Sequence, residues 1–326
     1  MELKSMGKII YLPLEHIESR YTTHMDRDIL KYLENSGREF VRVYPDIPSP
    51  KTMKAGSFLD AEFTIRFKAA QIEEVARLYR EDVIDSGDII WSSDLWHPGL
   101  PESIAYMNYF AKKDVKLRGL IHAGSFTDTD FVRDMERVYK GFEEILFDIT
   151  DTIYVASNFI KNDVIKKRIV DPNKIVVSGL PIDEKGLDLP KVEKEDIVIF
   201  NGRNVDEKQP YLFEIMKEKL PYKFINTQQK NYTKEEYYNL LNKSKVVVSF
   251  ALQENFGYGI QEAVKLGCVP VLPNRLVYPE IYPQQNLYNT FEESIKKVKD
   301  AIEGNLSCPI PKIKTNKEIF KIWFND

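Results

Sequence analysis

Residues 254–280 read "ENFGYGIQEAVKLGCVPVLPNRLVYPE", with Glu254 and Glu262 eight positions apart around a Phe-Gly step. The valine run in the preceding "SKVVVSFALQ" predicts a buried parallel strand. The segment "GYGIQEAVKLG" has helical periodicity and stops at Gly267, after which "CVPVLPN" predicts another short strand. Glu254 is therefore predicted in a loop at the carboxyl end of a strand, with Glu262 on the helix that follows. In an open α/β sheet, ligands bind at this edge.

Short apolar strands alternate with helical patterns along almost the whole chain, which predicts an α/β protein with parallel sheets covered by helices on both faces. A length of 326 residues exceeds one typical core and fits two domains. The polar stretch 183–196 is the predicted linker between them. We expect an N-terminal domain over 1–183, a C-terminal domain over 184–308, and a helix within 309–326 that packs back on the body. The predicted strands are "KIIYLP", "EFVRVY", "DIIWSS", "LRGLIHA", "TIYVAS", "DIVIFNG", "YKFINT", "KVVVSF" and "VPVLPN".

The composition is that of an ordinary globular protein, with 43% hydrophobic and 29% charged residues. Net charge is −4 and the pI is about 5.8, which argues against a generally basic nucleic-acid binder. No apolar run approaches the roughly 20 residues that span a bilayer. The N-terminus has no signal-peptide architecture, and two cysteines without metal spacing fit a reducing compartment. We expect a cytoplasmic protein, and the sequence leaves its oligomeric state open.

A second polar motif, "FNGRNVDEK", follows the predicted strand "DIVIF" and places Arg203 and Lys208 at the same kind of sheet edge. Either could be an ordinary surface cation, just as a solvated helix face would explain Glu262. The start of a helix, however, offers free backbone N–H groups that suit a phosphate. A carboxylate also accepts hydrogen bonds from two vicinal hydroxyls, which ribose and hexoses present. Together the motifs favour a site for a phosphorylated, sugar-bearing ligand.

These residues resemble the GT-B glycosyltransferases, and more narrowly the retaining Glu-x7-Glu family (glycosyl transferase group 1), which uses nucleotide-diphosphate sugars. "GLIHAGS", "YVASNFIKNDV" and "KIVVSGLPID" resemble further family segments. The likeness is specific over 197–282, looser over 115–182 and only topological in the first hundred residues. It implies two doubly wound, Rossmann-like parallel-sheet domains facing across a cleft.

The resemblance also implies roles for individual side chains. Glu262 would hold the ribose of the donor, Glu254 the donor-sugar hydroxyls, and Arg203 with Lys208 the diphosphate. His122, which closes "LRGLIHA", would face the donor, although a lone histidine is more often structural. The expected catalytic set is His122, Arg203, Lys208 and Glu254. The expected donor-binding set is Arg203, Lys208, Glu254, Asn255, Phe256, Gly257, Tyr258 and Glu262.

One departure concerns the family's Gly-rich loop after the first strand, where this chain has "PLEHIESRYTTHM". The "RYT" element and "DLWHPGL" resemble glycosyltransferase-like proteins of phages, some of which modify DNA bases. The most specific acceptor hypothesis is therefore a hydroxymethylated pyrimidine in DNA, flipped out of the duplex and stacked on Tyr21, Trp91 or Trp96. A glycan, a lipid or a small metabolite is the alternative. The acceptor-side candidates are His16, Arg20, Tyr21, Asp94 and Trp96, with His24 and His97 weaker.

No metal or cofactor is expected, and a nucleotide-diphosphate sugar such as a UDP-sugar would be the co-substrate. "DTD" at 128–130 could bind a divalent cation, but acids at the start of a helix are favoured by its dipole, so a helix cap is predicted. "GYG" lacks the third glycine of the dinucleotide fingerprint, and no Walker loop is present. The predicted reaction is metal-independent retaining glycosyl transfer. The alternatives are an epimerase on the same fold, a dehydrogenase, and a non-enzymatic nucleotide-sugar-binding protein.

Overall fold

The computed structural model of the protein describes residues 7–17, 21–47, 60–130 and 132–325. The chain forms two compact units, one over Met1–Ser178 with Lys317–Asp326 and the other over Gly179–Asn316. The predicted boundary, after Asp183, falls five residues later in the chain. No helix in these described ranges is both long and apolar enough to cross a bilayer.

The first unit contains a six-stranded sheet in which every neighbouring pair is parallel. The strand order is β2-β1-β3-β4-β5-β6, so the crossover from β2 to β3 passes over β1. Strands β1, β3 and β5 are entirely or largely buried, as expected for a sheet covered on both faces, whereas the edge strands β2 and β6 are mostly half-buried. The strands are β1 (Ile9–Leu12), β2 (Phe40–Arg42), β3 (Ile89–Ser92), β4 (Lys116–Leu120), β5 (Thr152–Val155) and β6 (Ile175–Val177).

Helices cover both faces of this sheet. A large core cluster includes side chains of four helices, and the C-terminal helix contributes to the packing around Trp91. The indole of Trp91 is fully buried against Trp323 and Phe324, with ring centroids 5.0 Å apart in each case. Trp91 is therefore not available to stack on a base, and that prediction is wrong. The helices are α1 (Thr22–Ser36), α2 (Ala61–Arg80), α3 (Leu100–Ala111), α4 (Glu136–Ile149), α5 (Asn158–Lys167) and, after the second unit, α11 (Asn316–Phe324).

The second unit contains a parallel sheet with the order β11-β10-β9-β7-β8. Its core lies between β7, β9, β10 and the helices α6 and α10. The strands are β7 (Glu195–Phe200), β8 (Lys223–Asn226), β9 (Ser244–Val248), β10 (Val269–Pro273) and β11 (Leu287–Tyr288). The helices are α6 (Pro210–Lys219), α7 (Lys234–Lys243), α8 (Tyr258–Lys265), α9 (Tyr278–Ile281) and α10 (Phe291–Ile302).

Two Rossmann-like parallel-sheet units confirm the predicted fold class, and all nine predicted strands are present. The sequence pattern missed the short strands β6 and β11. The carboxyl ends of β7, β8 and β9 all precede loops that carry polar side chains, and these loops hold the candidate site.

Candidate functional site

Glu254 lies in the loop between β9 and α8, where its carboxylate is held by its own backbone. One oxygen, Oε1, accepts hydrogen bonds from the N–H groups of Gly257 at 2.9 Å and Asn255 at 3.2 Å. This turn requires Gly257 in a left-handed conformation (φ +76°), which a residue with a side chain rarely adopts. The other oxygen, Oε2, lies 3.2 Å from the Nζ of Lys208. The carboxylate is thus fixed at the start of a helix and beside a cation.

Burial would raise the pKa of Glu254, but its neighbours more than offset this effect. The ammonium of Lys208 and the backbone N–H groups of Gly257 and Phe256 favour the ionised carboxylate, so its pKa lies below the usual range. Lys208 is itself buried and also donates to the carbonyl oxygen of Gln253. The loop after β7 and the loop after β9 are therefore joined through a buried lysine.

Arg203 and Lys208 both follow β7, as predicted, but their environments differ. Lys208 is buried, whereas the guanidinium of Arg203 is 40% exposed and pairs with Glu207 at 2.5 Å. The sequence analysis did not identify Glu207 as this partner, although its spacing four residues after Arg203 is a helix-like pairing distance. The side chain of Arg203 therefore lies partly in solvent at this sheet edge.

Glu262 is buried on α8, and one of its oxygens has two partners from α7. Oε1 accepts from the Nζ of Lys234 at 2.9 Å and from the hydroxyl of Tyr238 at 3.0 Å. The Nζ of Lys234 also lies 4.6 Å from the centre of the Tyr238 ring. Burial, followed by the charges of Glu262 and Asp183, raises the pKa of Tyr238, so its hydroxyl stays protonated and donates. The sequence analysis missed Lys234 and Tyr238, whose only signal is that α7 follows the carboxyl end of β8.

A further contact ties the loop after β7 to the first turn of α8. The side-chain amide of Asn201 donates to the carbonyl oxygen of Gly259 at 2.6 Å and to the hydroxyl of Tyr237 at 3.0 Å. A Cβ on Gly259 would lie 2.8 Å from that amide nitrogen, so any larger residue here would displace the Asn201 side chain. The rings of Phe256 and Tyr258 contact each other at 4.9 Å beside it. All residues of the predicted donor-binding set thus lie on the loops after β7 and β9 or on α8.

In the first unit, Asp94 follows β3 and forms a carboxylate–lysine pair of its own. Its Oδ2 lies 2.8 Å from the Nζ of Lys68 on α2, and its Oδ1 accepts from the N–H of Trp96 at 3.0 Å. Burial would raise the pKa of Asp94, but the charges of Lys68 and of His122 lower it below the usual range. His122, in the loop after β4, binds the carbonyl oxygen of Ser93 through Nε2 at 2.8 Å. The Tyr21 ring lies 5.7 Å from the His122 ring, so three predicted residues meet at one edge of this sheet.

Trp96 belongs to a buried network that the sequence did not indicate. Its indole Nε1 donates to Glu143 at 3.1 Å, and its ring stacks on Tyr139 at 4.6 Å. Glu143 is fully buried and pairs with the equally buried guanidinium of Arg168 at 2.7 Å. It also accepts from the N–H and the hydroxyl of Ser125, in the loop after β4. The network fixes the loops after β3 and β4 against α4 and α5.

The remaining histidines have structural surroundings. His16 lies 2.7 Å from Asp26, which is also bound by Arg42 at 2.6 Å. His97 is buried, and this burial lowers its pKa to about 3, so the ring is neutral at physiological pH. His24 is buried on α1. Arg20, the other acceptor-side candidate, lies outside the described residues.

The prediction that "DTD" caps a helix is wrong. The regular helix α4 begins at Glu136, and the short 3-10 helix before it has no side-chain cap. Asp128 instead pairs with the Nζ of Lys167 at 2.9 Å, and Asp130 accepts from the N–H of Val132 at 3.1 Å. Across the described ranges, no group of three or more His, Cys, Asp or Glu side chains is arranged to hold a metal ion.

Comparisons with known proteins give one partial sequence relative and several structures of similar fold. No family model matches the chain. Over 119 residues, corresponding to 33% of this chain, it is 45% identical to a tRNA-queuosine alpha-mannosyltransferase of Drosophila melanogaster, and the match spans only 31% of that relative.

Solved structures match over nearly the whole chain at about 12% identity. The galactosyltransferase WaaB of the lipopolysaccharide outer core matches with a TM-score of 0.59, over 98% of this chain and 96% of its own. Anabaena HepE in complex with UDP and glucose gives 0.61 over 92% and 90%. Sucrose-phosphate synthase of Thermosynechococcus elongatus gives 0.61 over 98% and 95%. The chain therefore has the GT-B glycosyltransferase fold.

Proposed function

We propose that the protein is a glycosyltransferase that moves a sugar from a nucleotide-diphosphate sugar to an acceptor hydroxyl. The observation that carries this proposal is the pairing of Glu254 with the buried Lys208 at the first turn of α8. A purely structural role would gain the protein little stability, because removing two charges from water can cost more than their attraction returns. The pair has a clear use where phosphate and sugar hydroxyls must be bound together.

The diphosphate would bind between the start of α8 and the two cations that follow β7. Free N–H groups at a helix start and the positive end of its dipole favour an anion. Arg203 offers two parallel donors to phosphate oxygens, while Lys208 provides a compact charge. The HepE structure, which contains UDP, has the same fold and supports a nucleotide sugar as the donor.

Glu262 would bind the vicinal hydroxyls of the donor ribose. Its Oε1 already accepts from Lys234 and Tyr238, which hold the buried carboxylate in one orientation. A bound ribose would then donate to the remaining lone pairs. Asn255, Phe256, Gly257 and Tyr258 would line the neighbouring part of the donor site, and the carboxylate of Glu254 would accept from the sugar hydroxyls.

The transfer is proposed to retain the configuration of the anomeric carbon without a metal. The acceptor oxygen bonds to that carbon on the face from which the diphosphate oxygen departs. The departing oxygen takes the proton of the acceptor, and nucleoside diphosphate is released. Arg203 and Lys208 stabilise the charge that develops on the leaving group, which lowers the barrier. His122 is proposed as a hydrogen-bond partner of the donor, and its Nε2 lies 2.8 Å from the carbonyl oxygen of Ser93.

The acceptor is proposed to be a hydroxyl on a modified base of a nucleic acid. The 45% identical relative is named for mannosyl transfer to queuosine in tRNA, which favours a tRNA nucleoside. A hydroxymethylated pyrimidine in DNA, suggested by the sequence, is the competing acceptor. In either case the base must leave its stack to react, and the aromatic ring of Tyr21 beside His122 would receive it.

The test is a panel of nucleotide sugars, each incubated with the protein alone and then with tRNA, hydroxymethylated duplex DNA or plain duplex DNA. Slow release of nucleoside diphosphate without acceptor, and a sugar-sized mass gain on a digested nucleoside, are expected. Arg203→Ala should lower turnover more than it weakens binding of the nucleoside monophosphate, because its partner is the developing charge. Arg80→Ala, an exposed arginine on the first unit, is the matched control.

Three results would change the proposal. If the protein binds the nucleotide but releases nucleoside diphosphate from none of the nucleotide sugars, it is a binding protein and not an enzyme. Sugar transfer to a glycan or a small metabolite, and to no nucleic acid, would exclude the base acceptor. An inverted anomeric signal in the product by NMR would exclude the retaining mechanism.

A further inference from the structure

An exposed apolar surface covers two neighbouring helices of the first unit. On α3, the side chains of Tyr106, Tyr109 and Phe110 are 66, 77 and 64% exposed, and on α4 those of Val138 and Ile145 are 68 and 47% exposed. The ring of Phe110 contacts both tyrosine rings, with centroids 4.6 Å apart for Tyr106–Phe110 and 5.1 Å for Tyr109–Phe110. Single exposed apolar residues are common, but a contiguous group of this size is typical of an interaction surface.

The centre of α4 carries a glycine that its own unit does not need. Val138, Gly141 and Ile145 are spaced three and four residues apart and so form one stripe along the exposed side of the helix. Gly141 is in the helix interior, where glycine is destabilising relative to alanine. No atom outside the local helix backbone lies within 4 Å of the position that its Cβ would take. A surface that must approach the helix axis closely would account for the glycine.

The charges on α4 change sign along the helix. Arg137 and Lys140 occupy its first half, and Glu144 and Asp148 its second half. In the described part of the chain none of these four side chains forms an ion pair. At 100° per residue, Arg137, Glu144 and Asp148 fall on one flank of the stripe. The opposite flank carries Phe142, whose ring contacts Trp96 just before α3.

We infer that this surface of α3 and α4, defined by Tyr106, Tyr109, Phe110, Val138, Gly141 and Ile145, is the interface between two copies of the chain, with the two α4 helices antiparallel. A two-fold axis perpendicular to the two α4 helices makes them antiparallel and places each flank of α4 beside the same flank of the second copy. The two α3 helices therefore lie on the same side, and the charged flank faces the charged flank of the second copy, which runs in the opposite direction. If the axis passes the midpoint of α4 (Glu136–Ile149), which lies between residues 142 and 143, then Arg137 lies opposite the second copy's Asp148.

The charge pattern favours this partner over a membrane or a nucleic acid. A membrane and a nucleic acid both present phosphate, which Glu144 and Asp148 would repel. In an antiparallel pair, by contrast, the basic first half of each α4 lies beside the acidic second half of the other. A two-fold interface also uses each contact twice, so modest rim pairs act together.

The first experiment measures sedimentation equilibrium of the full chain over a range of concentrations. The wild type is expected to dimerise, and Val138→Asp should raise the dimer dissociation constant at least a hundredfold by placing a charge on the apolar stripe of α4. Ile169→Asp, which alters an exposed isoleucine outside this surface, is the matched control and should leave the constant unchanged. A wild type that stays monomeric, or equal effects of the two variants, would overturn the inference.

A charge exchange tests the antiparallel arrangement. Arg137→Glu and Asp148→Arg should each weaken the dimer roughly tenfold, and the double variant should restore it. A double variant no better than either single one would contradict this pairing. Circular dichroism of each variant separates these effects from loss of fold. A monomeric wild type that loses RNA affinity on Val138→Asp would assign the surface to nucleic acid instead.

Discussion

The two units each contain a carboxylate that follows a buried strand and pairs with a lysine, yet the two pairs are built differently. In the second unit, Glu254 and Lys208 lie 3.2 Å apart, and both belong to loops at the carboxyl ends of strands. In the first unit, Asp94 lies 2.8 Å from Lys68, which projects from a long helix and also donates to the carbonyl oxygen of Trp96. Both carboxyl groups have lowered pKa values despite burial. Both lysines also donate to a backbone carbonyl, so the difference lies in their elements: both members of the second pair lie in loops at a sheet edge, and we propose that this pair serves a ligand, whereas the first pair stabilises its own unit.

The largest effect is expected on replacing the lysine of the first pair. Lys68→Met leaves Asp94 buried without its main partner, and breaking a buried ion pair in this way typically costs about 3–5 kcal/mol. Chemical denaturation should show this loss, with nucleotide binding to the remaining folded protein unchanged. Lys68→Arg is the control that keeps the charge. Undiminished stability of the methionine variant would remove the distinction between the two pairs.

Replacing the carboxylate of the other pair should affect turnover instead. Glu254→Gln keeps the size of the side chain and removes the charge that would orient the donor sugar, so donor turnover should fall about a hundredfold to a thousandfold. The unfolding free energy should change less, because the amide oxygen of glutamine can still accept from Lys208, which also keeps the carbonyl oxygen of Gln253 as a partner. Glu292→Gln, at an exposed position of α10, is the matched control. Full activity of Glu254→Gln would separate this loop from the reaction.

A smaller effect is expected at Lys234, which holds Glu262. Lys234→Ala should weaken donor binding roughly tenfold, because a hydrogen bond to a charged group contributes about 1.5–3 kcal/mol and Tyr238 remains as the second partner. Calorimetric titration with a nucleoside diphosphate measures it. Lys243→Ala, an exposed lysine at the other end of α7, should bind as the wild type does. Tighter binding by Lys234→Ala would instead mean that Lys234 competes with the ligand.

The smallest effect is expected in the pH dependence of the stability that the Asp94–Lys68 pair contributes. Because the pKa of Asp94 is lowered in the folded protein, its pairing contributes stability above the ordinary aspartate pKa of about 3.9, and this contribution is lost as pH falls toward the folded pKa. Asp94→Asn should therefore differ most from the wild type at neutral pH and converge with it in acid. The measurement is the unfolding free energy of the wild type and of Asp94→Asn across this pH range. A difference between the two proteins that stays the same at every pH would contradict the lowered pKa of Asp94.

The sequence predicted the parts of the site whose signal is local. Glu254, Arg203 and Lys208 follow apolar strands, and in a parallel sheet such positions meet at one edge whatever the rest of the chain does. The partners Lys234 and Lys68 come from segments 28 and 26 residues away from the carboxylates they bind. Nothing within their own helices distinguishes them from solvated lysines, so sequence alone could not identify them.

The fold was also predictable where its signal is local, and not where it depends on short strands or on distant segments. The strands β6 and β11 are only three and two residues long, too short for a periodic pattern. Trp91 was misjudged because the strand pattern shows which residues are apolar but not which distant helix covers them. That helix, α11, follows 223 residues after the end of β3. The pairing of Trp96 with Glu143 likewise depends on two loops and a helix that only the tertiary structure brings together.

The most direct test of the central claim is a calorimetric titration of UDP and GDP into three proteins: the wild type, Glu262→Ala and Asp94→Asn. If the second unit binds the nucleotide, Asp94→Asn should bind like the wild type, and Glu262→Ala should bind about tenfold to a hundredfold more weakly. Loss of binding in Asp94→Asn with unchanged binding in Glu262→Ala would contradict the account, because it would place the nucleotide on the first unit.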